Sequence, residues 1–174
     1  FIGQNSWNGY EYNCLFANVG DGDFIDVARP IGADEIDDSR GVAVGDFNED
    51  GRLDLIINNH TKRPTVYFNE LGETGNWFGI NLVGKQGNRD AIGAHIRLTA
   101  DGKTMTRQIK AGAGYASQAM MAAHFGLGAA EIIEAIDITW PGGNSQHFDS
   151  AALAGMINQM ITIEEGADTL VARR

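Results

Sequence analysis

The densest chemistry in the sequence lies in Asp46-Phe47-Asn48-Glu49-Asp50-Gly51-Arg52-Leu53-Asp54, where oxygen-bearing side chains recur at alternate positions. A hard divalent ion takes roughly 6–8 oxygen ligands at about 2.3–2.6 Å, and a loop curling round it aims its first, third, fifth and ninth residues inward while the seventh offers a carbonyl. That pattern assigns to a calcium ion the side chains of Asp46, Asn48, Asp50 and Asp54 and the main-chain carbonyl of Arg52. Gly51 supplies the sharp turn. A plain hairpin turn would also use Asp, Asn and Gly, but three carboxylates this close repel one another unless a cation sits between them. An EF-hand is excluded, because its twelfth residue must be a bidentate glutamate and here that position is Ile57. The ion expected is structural.

The elements that must hold this loop are strands. Val42-Ala43-Val44 before it and Leu53–Ile57 after it are β-branched and alternate with period two rather than 3.6. Twenty-three glycines against three prolines, with short apolar runs separated by Asp-Gly and Gly-Gly pairs, predict many short strands and tight turns. Leu15–Val19 and Phe24–Val27 around Gly20–Asp23 read as a hairpin, and Thr65–Phe68 as a further strand. The polar stretch 69–76 marks a domain boundary near residue 75. Beyond it, Ile80–Leu82, Ala94–Leu98, Thr104–Ile109, Ala135–Trp140 and Met160–Ile163 read as strands. Ala119–Ala123 and Ser150–Gly155 read as short helical turns, and 166–174 as a frayed tail.

Charge narrows the function classes. The formal net charge is −10, and residues 1–75 hold fourteen acids against five bases, whereas 76–174 hold nine against eight. So acidic a first part repels phosphate backbones and anionic lipid, and it attracts divalent cations and basic protein patches. Nucleic-acid binding is not expected. No apolar run nears the roughly 20 residues that span a bilayer, and Phe1-Ile2-Gly3-Gln4-Asn5 lacks the regions of a signal peptide. The chain reads as a mature or truncated product, with any export signal or anchor upstream.

The remaining candidates take simple readings. His60, His95, His124 and His147 show no metal-ligand spacing, and His124 reads as an imidazole bonded to turn backbone. Ser117 with His124 lacks a nucleophile elbow. Ala111-Gly112-Ala113-Gly114 lacks the lysine of a phosphate loop and the third glycine of a dinucleotide fingerprint. Arg89 and Asp90 are expected to brace a turn as a local pair. Trp77, Tyr115 and Trp140 offer a sugar-stacking platform, but large aromatics are more often core or inter-domain filler, and that is the reading they take here. Cys14, the single cysteine, excludes an internal disulfide and reads as a buried small hydrophobe.

Gly45-Asp46-Phe47 through Asp54-Leu55 resembles the FG-GAP repeats of β-propellers, in which such a loop joins two strands of a blade. Four later pieces resemble the ASPIC/UnbV domain: Asn88–Ala94, Ala111–Gln118, His124–Gly128 and Trp140–Gly143. The resemblance covers roughly residues 12–165. It implies a mostly β fold, with a partial propeller blade at 1–75 packed on a small β-sandwich-like domain at 76–165. It also implies calcium, a periplasmic or extracellular location and a scaffolding role without catalytic residues. The expected function is a non-enzymatic interaction module or accessory subunit of an exported or envelope-associated bacterial assembly, binding protein partners and not inserting into membrane. The alternatives are a carbohydrate-binding module and a remnant enzyme domain. With at most a blade and a half, strand edges at Leu15–Val19, Val42–Val44 and Thr65–Phe68 require capping by the second domain or by a partner.

Overall fold

A computed structural model describes residues 9–72 and 74–172; the start, Phe1–Asn5, lies outside the described residues. The fold is mostly β, and the described residues contain no helix. In the first part, β1 (Glu11–Tyr12), the hairpin strands β2 (Phe16–Gly20) and β3 (Asp23–Asp26), and β4 (Ile36–Asp37) precede a longer trio. That trio is β5 (Ser39–Gly45), β6 (Asp54–Asn59) and β7 (Thr65–Tyr67). β5, β6 and β7 form one antiparallel sheet in chain order, with Gly45 opposite Asp54 at the mouth of the acidic loop. The hairpin turn falls at Asp21 and Gly22, both at positive φ, as an Asp-Gly pair between alternating strands demands.

The second part runs from β8 (Asn76–Val83) through β9 (His95–Ala100), β10 (Lys103–Gln108), β11 (Ala123–Gly128), β12 (Ile133–Thr139), β13 (Ser145–Asp149) and β14 (Met160–Glu164) to β15 (Leu170–Ala172). Two four-stranded sheets result, in orders β10-β9-β12-β13 and β11-β8-β14-β15. Only β8 and β14 pair in parallel. Alternation aims one side of each strand inward: Ile96 and Leu98, Ile136 and Ile138, and Ile161 and Ile163 are all buried, with Phe78, Phe125 and Trp140, in one core cluster. Burying each such aliphatic or Phe side chain contributes about 1.5–3 kcal/mol. Among its described residues the first part has no comparable core. Its buried hydrophobic residues are Ala28 and Ala33, while Phe16, Phe24, Ile25 and Phe68 are each more than half exposed.

Several expectations need correction. Ala119–Ala123 is not helical: it is an irregular, bent approach that enters β11 at Ala123, and Ala123, Phe125 and Leu127 of that strand are buried in alternation. Residues 150–155 are hydrogen-bonded turns, with Asp149 accepting from the Ala152 amide. The segment 166–174 is not a frayed tail over its described residues, since Leu170–Ala172 pairs antiparallel with β14. Cys14 is exposed rather than buried, because the first part offers no core to receive it.

Candidate metal centre

β5 delivers the chain to Asp46 and β6 takes it away from Asp54. Between them Glu49 at φ 60 and Gly51 at φ 86 reverse the backbone. Asp46 winds the loop: its Oδ1 accepts from the Asp50 amide at 3.0 Å and its Oδ2 from the Gly51 amide at 2.8 Å. Asp50 Oδ1 accepts from the Arg52 amide at 2.8 Å, and Oδ2 accepts from Asn48 Nδ2 at 2.7 Å and pairs with the Arg52 guanidinium. The Arg52 amide first, then the Asn48 amide and the guanidinium, hold the Asp50 carboxyl below the usual carboxylate range. Asp54 Oδ2 accepts from the Phe47 amide at 2.9 Å and Oδ1 from the Asn69 amide at 2.8 Å. Asp54 therefore ties the loop's first turn to the chain leaving β7.

All five residues expected as ligands, Asp46, Asn48, Asp50, Arg52 and Asp54, thus lie on one short loop. Among the described residues, however, no three acidic, histidine or cysteine side chains converge as a metal cage. Arg52 contributes its guanidinium to Asp50 as well as standing where a carbonyl ligand was expected. The donor set itself fits a hard cation. It is all oxygen, and Asp54, which is wholly buried, has two N–H partners but among the described residues no ion pair. A buried carboxylate without a counter-charge is costly, and a cation held by this loop would relieve it.

The second part reaches this loop in a way that no spacing in the sequence announces. His124 Nε2 lies 2.9 Å from the Gly51 carbonyl oxygen. A carbonyl only accepts, so this assigns the proton to Nε2. Trp77 stacks on His124 with ring centroids 5.5 Å apart and planes 6° from parallel, and its indole lies against Gly51 with no room for a Cβ there. Asn158 holds Trp77 in turn, accepting from the Trp77 amide at 2.9 Å and donating its own amide to the Trp77 carbonyl. The outer edge of β5 is covered too: the Val42 amide donates to Ser117 Oγ at 2.9 Å, and the Met120 amide donates to the Val44 carbonyl at 3.0 Å.

These partners decide the other candidates. Ser117 Oγ donates to the Tyr115 carbonyl while accepting from Val42, so Ser117 and His124 serve different backbone groups and do not face each other as nucleophile and base. Trp140 is buried, Tyr115 is exposed and Trp77 lies under His124, so the three aromatics share no sugar-stacking face. The turn at 88–92 is braced by Asn88, whose side chain bonds both the amide and the carbonyl of Ile92. His147 pairs across strands with Asp137.

Residues 84–170 match the family described as ASPIC and UnbV, and residues 2–57 match the FG-GAP-like repeat. Cartilage acidic protein 1 of Xenopus tropicalis is 33% identical over 145 residues, which cover 80% of this chain and 22% of that protein. Its Homo sapiens counterpart is 48% identical over 56 residues, covering 32% of this chain and 8% of the relative. The Mus musculus protein is 41% identical over 56 residues, 32% of this chain and 9% of its own length. The chain therefore spans no more than 22% of the length of these relatives.

Proposed function

Since the chain belongs to the ASPIC/UnbV family and carries an FG-GAP-like repeat ahead of that domain, we propose that it is a non-enzymatic, calcium-binding protein-interaction module. It serves as an accessory subunit of an exported or envelope-associated bacterial assembly, in the periplasm or at the cell surface. The unit at 1–75 carries the acidic loop and the docking surface, and the unit at 76–165 supplies the stable platform. Calcium is held by Asp46, Asn48, Asp50 and Asp54 with the Arg52 carbonyl, and acts structurally.

The observation that carries the interaction reading is the bare face of the first part. Leu15, Ile31, Leu53, Leu55, Tyr67 and Phe68 line an open apolar cleft of about 440 Å³, and Phe16, Phe24 and Ile25 of the hairpin are exposed as well. Exposed apolar surface gathered in one region is characteristic of interfaces, and the acidic excess around it favours a partner with a basic rim. The test is crosslinking followed by mass spectrometry on the protein in its native envelope fraction, with sizing of the same extract. Crosslinks from residues 9–72 to one protein, in a species larger than the monomer, are expected. A free monomer without crosslinks from that region would overturn the proposal.

A further inference from the structure

We infer that the segment Tyr115–His124 of the ASPIC/UnbV unit is a strap that holds the acidic loop in its curled form, so that the loop's affinity for a divalent cation is set from outside the repeat. The second half of this inference rests on the calcium reading above; the first half does not.

The strap follows the strand that feeds the loop. At Gly41 the Ala116 carbonyl packs so closely that a Cβ would collide with it. At Val42 the amide finds Ser117 Oγ, and at Val44 the carbonyl finds the Met120 amide. The outer edge of β5, which has no neighbouring strand, is thereby hydrogen-bonded by the strap up to the residue before Gly45. Then the chain crosses to β11, and His124 donates to the Gly51 carbonyl. His124 is itself fixed on two sides, by the Trp77 stack and by Arg107 Nε donating to its carbonyl at 3.1 Å.

Gly51 is the point at which a grip has most leverage. Its own amide and that of Asp50 donate to the two oxygens of Asp46, and the next amide, of Arg52, donates to Asp50. Fixing the Gly51 carbonyl fixes the peptide plane between Gly51 and Arg52, and with it the Arg52 amide that faces Asp50. A loop ordered before an ion arrives does not lose that conformational freedom on binding, which raises affinity without any new ligand. Trp77 and His124 are positioning residues in this scheme, and neither is a ligand.

The experiment compares wild type, His124→Phe, which keeps a ring to stack on Trp77 but has no N–H, and Ser117→Ala. Amide hydrogen exchange is followed at residues 46–54 in excess chelator, and calcium binding by titration calorimetry. Core amides of β8 and β9 report whether each variant keeps its fold. Faster exchange at 48–52 in both variants with protected core amides is expected, together with calcium binding weakened about fivefold to tenfold in His124→Phe, the scale of one lost hydrogen bond. Loop exchange unchanged in both variants would overturn the strap. Faster loop exchange in a protein that takes up no calcium would remove the calcium reading and leave the strap standing.

Discussion

The indole of Trp77 lies directly on Gly51, a residue at φ 86 whose missing Cβ would otherwise collide with the ring. Two separate penalties therefore meet in Gly51→Ala: the left-handed backbone costs an L-residue roughly 1–2 kcal/mol, and overpacking against a held ring roughly 1–3 kcal/mol. Chemical denaturation should show a loss of about 2–5 kcal/mol. Gly20→Ala is the control, since Gly20 also has positive φ, at 96°, but open space where its Cβ would go. It should lose only the backbone part. Equal losses at the two sites would mean that Trp77 yields freely.

Calcium should appear in the melting curve. An ion that binds the folded loop at 100 times its dissociation constant stabilises by about 2.7 kcal/mol. Excess chelator is thus expected to lower the Tm of wild type and to leave Asp50→Ala unaffected. Without calcium Asp50→Ala should already melt somewhat below wild type, because the substitution removes the bonds from the Arg52 amide and Asn48 Nδ2 along with the partly exposed Arg52 pair, at about 0.5–1.5 kcal/mol per hydrogen bond, so the response to chelator within each protein is the readout. A wild-type Tm indifferent to chelator would exclude the site.

How much of this was legible beforehand depends on what kind of signal each feature leaves. Strands with uninterrupted alternation, such as those carrying Ile96 and Leu98 or Ile136 and Ile138, announce their inward face directly. The loop of Asp46 to Asp54 is equally plain because its donors are neighbours in sequence. β11 is harder: Ala123, Phe125 and Leu127 alternate, but Gly126 and Gly128 on either side of Leu127 mimic a turn. β13 buries only Phe148 outright and leaves almost no pattern. The grip of His124 on Gly51 joins residues 73 apart through one polar atom each, a contact that composition and periodicity cannot encode. The apolar neighbours of Cys14 suggest burial, but Tyr12 and Phe16 are themselves exposed and leave the thiol exposed with them.

That exposed cysteine should nevertheless react slowly. The Asp26 carboxylate, first by a hydrogen bond and also by its charge, pushes the Cys14 thiol above its ordinary value, and only the thiolate attacks an alkylating agent. Asp26→Asn keeps Oδ1, which accepts from the Leu15 and Ala28 amides, while removing the charge. Iodoacetamide labelling near pH 8 is expected to run faster in this variant. Equal rates would show that Asp26 does not control the thiol.

Acid should unfasten the second unit at Glu165. Its Oε2 accepts from the amides of both Lys85 and Gln86 at 2.8 Å, and Oε1 accepts from Asn144 Nδ2 at 3.4 Å, so one carboxylate at the end of β14 pins two turns. The Gln86 amide first, then that of Lys85, with Asn144 adding to them, hold its carboxyl below the usual range. A carboxyl depressed in the folded state contributes stability that is fully present above the unfolded value of about 4.3. That contribution is lost as pH falls through the lower folded value, because the unfolded chain binds the proton first. Wild-type Tm should therefore hold between pH 7 and 5 and fall below about pH 4.3. Glu165→Gln should start lower at neutral pH and fall less steeply in acid, its unfolding taking up about one proton fewer in that window. Parallel curves for the two proteins would show that Glu165 carries none of the acid sensitivity, leaving it to other depressed carboxyls such as Asp26.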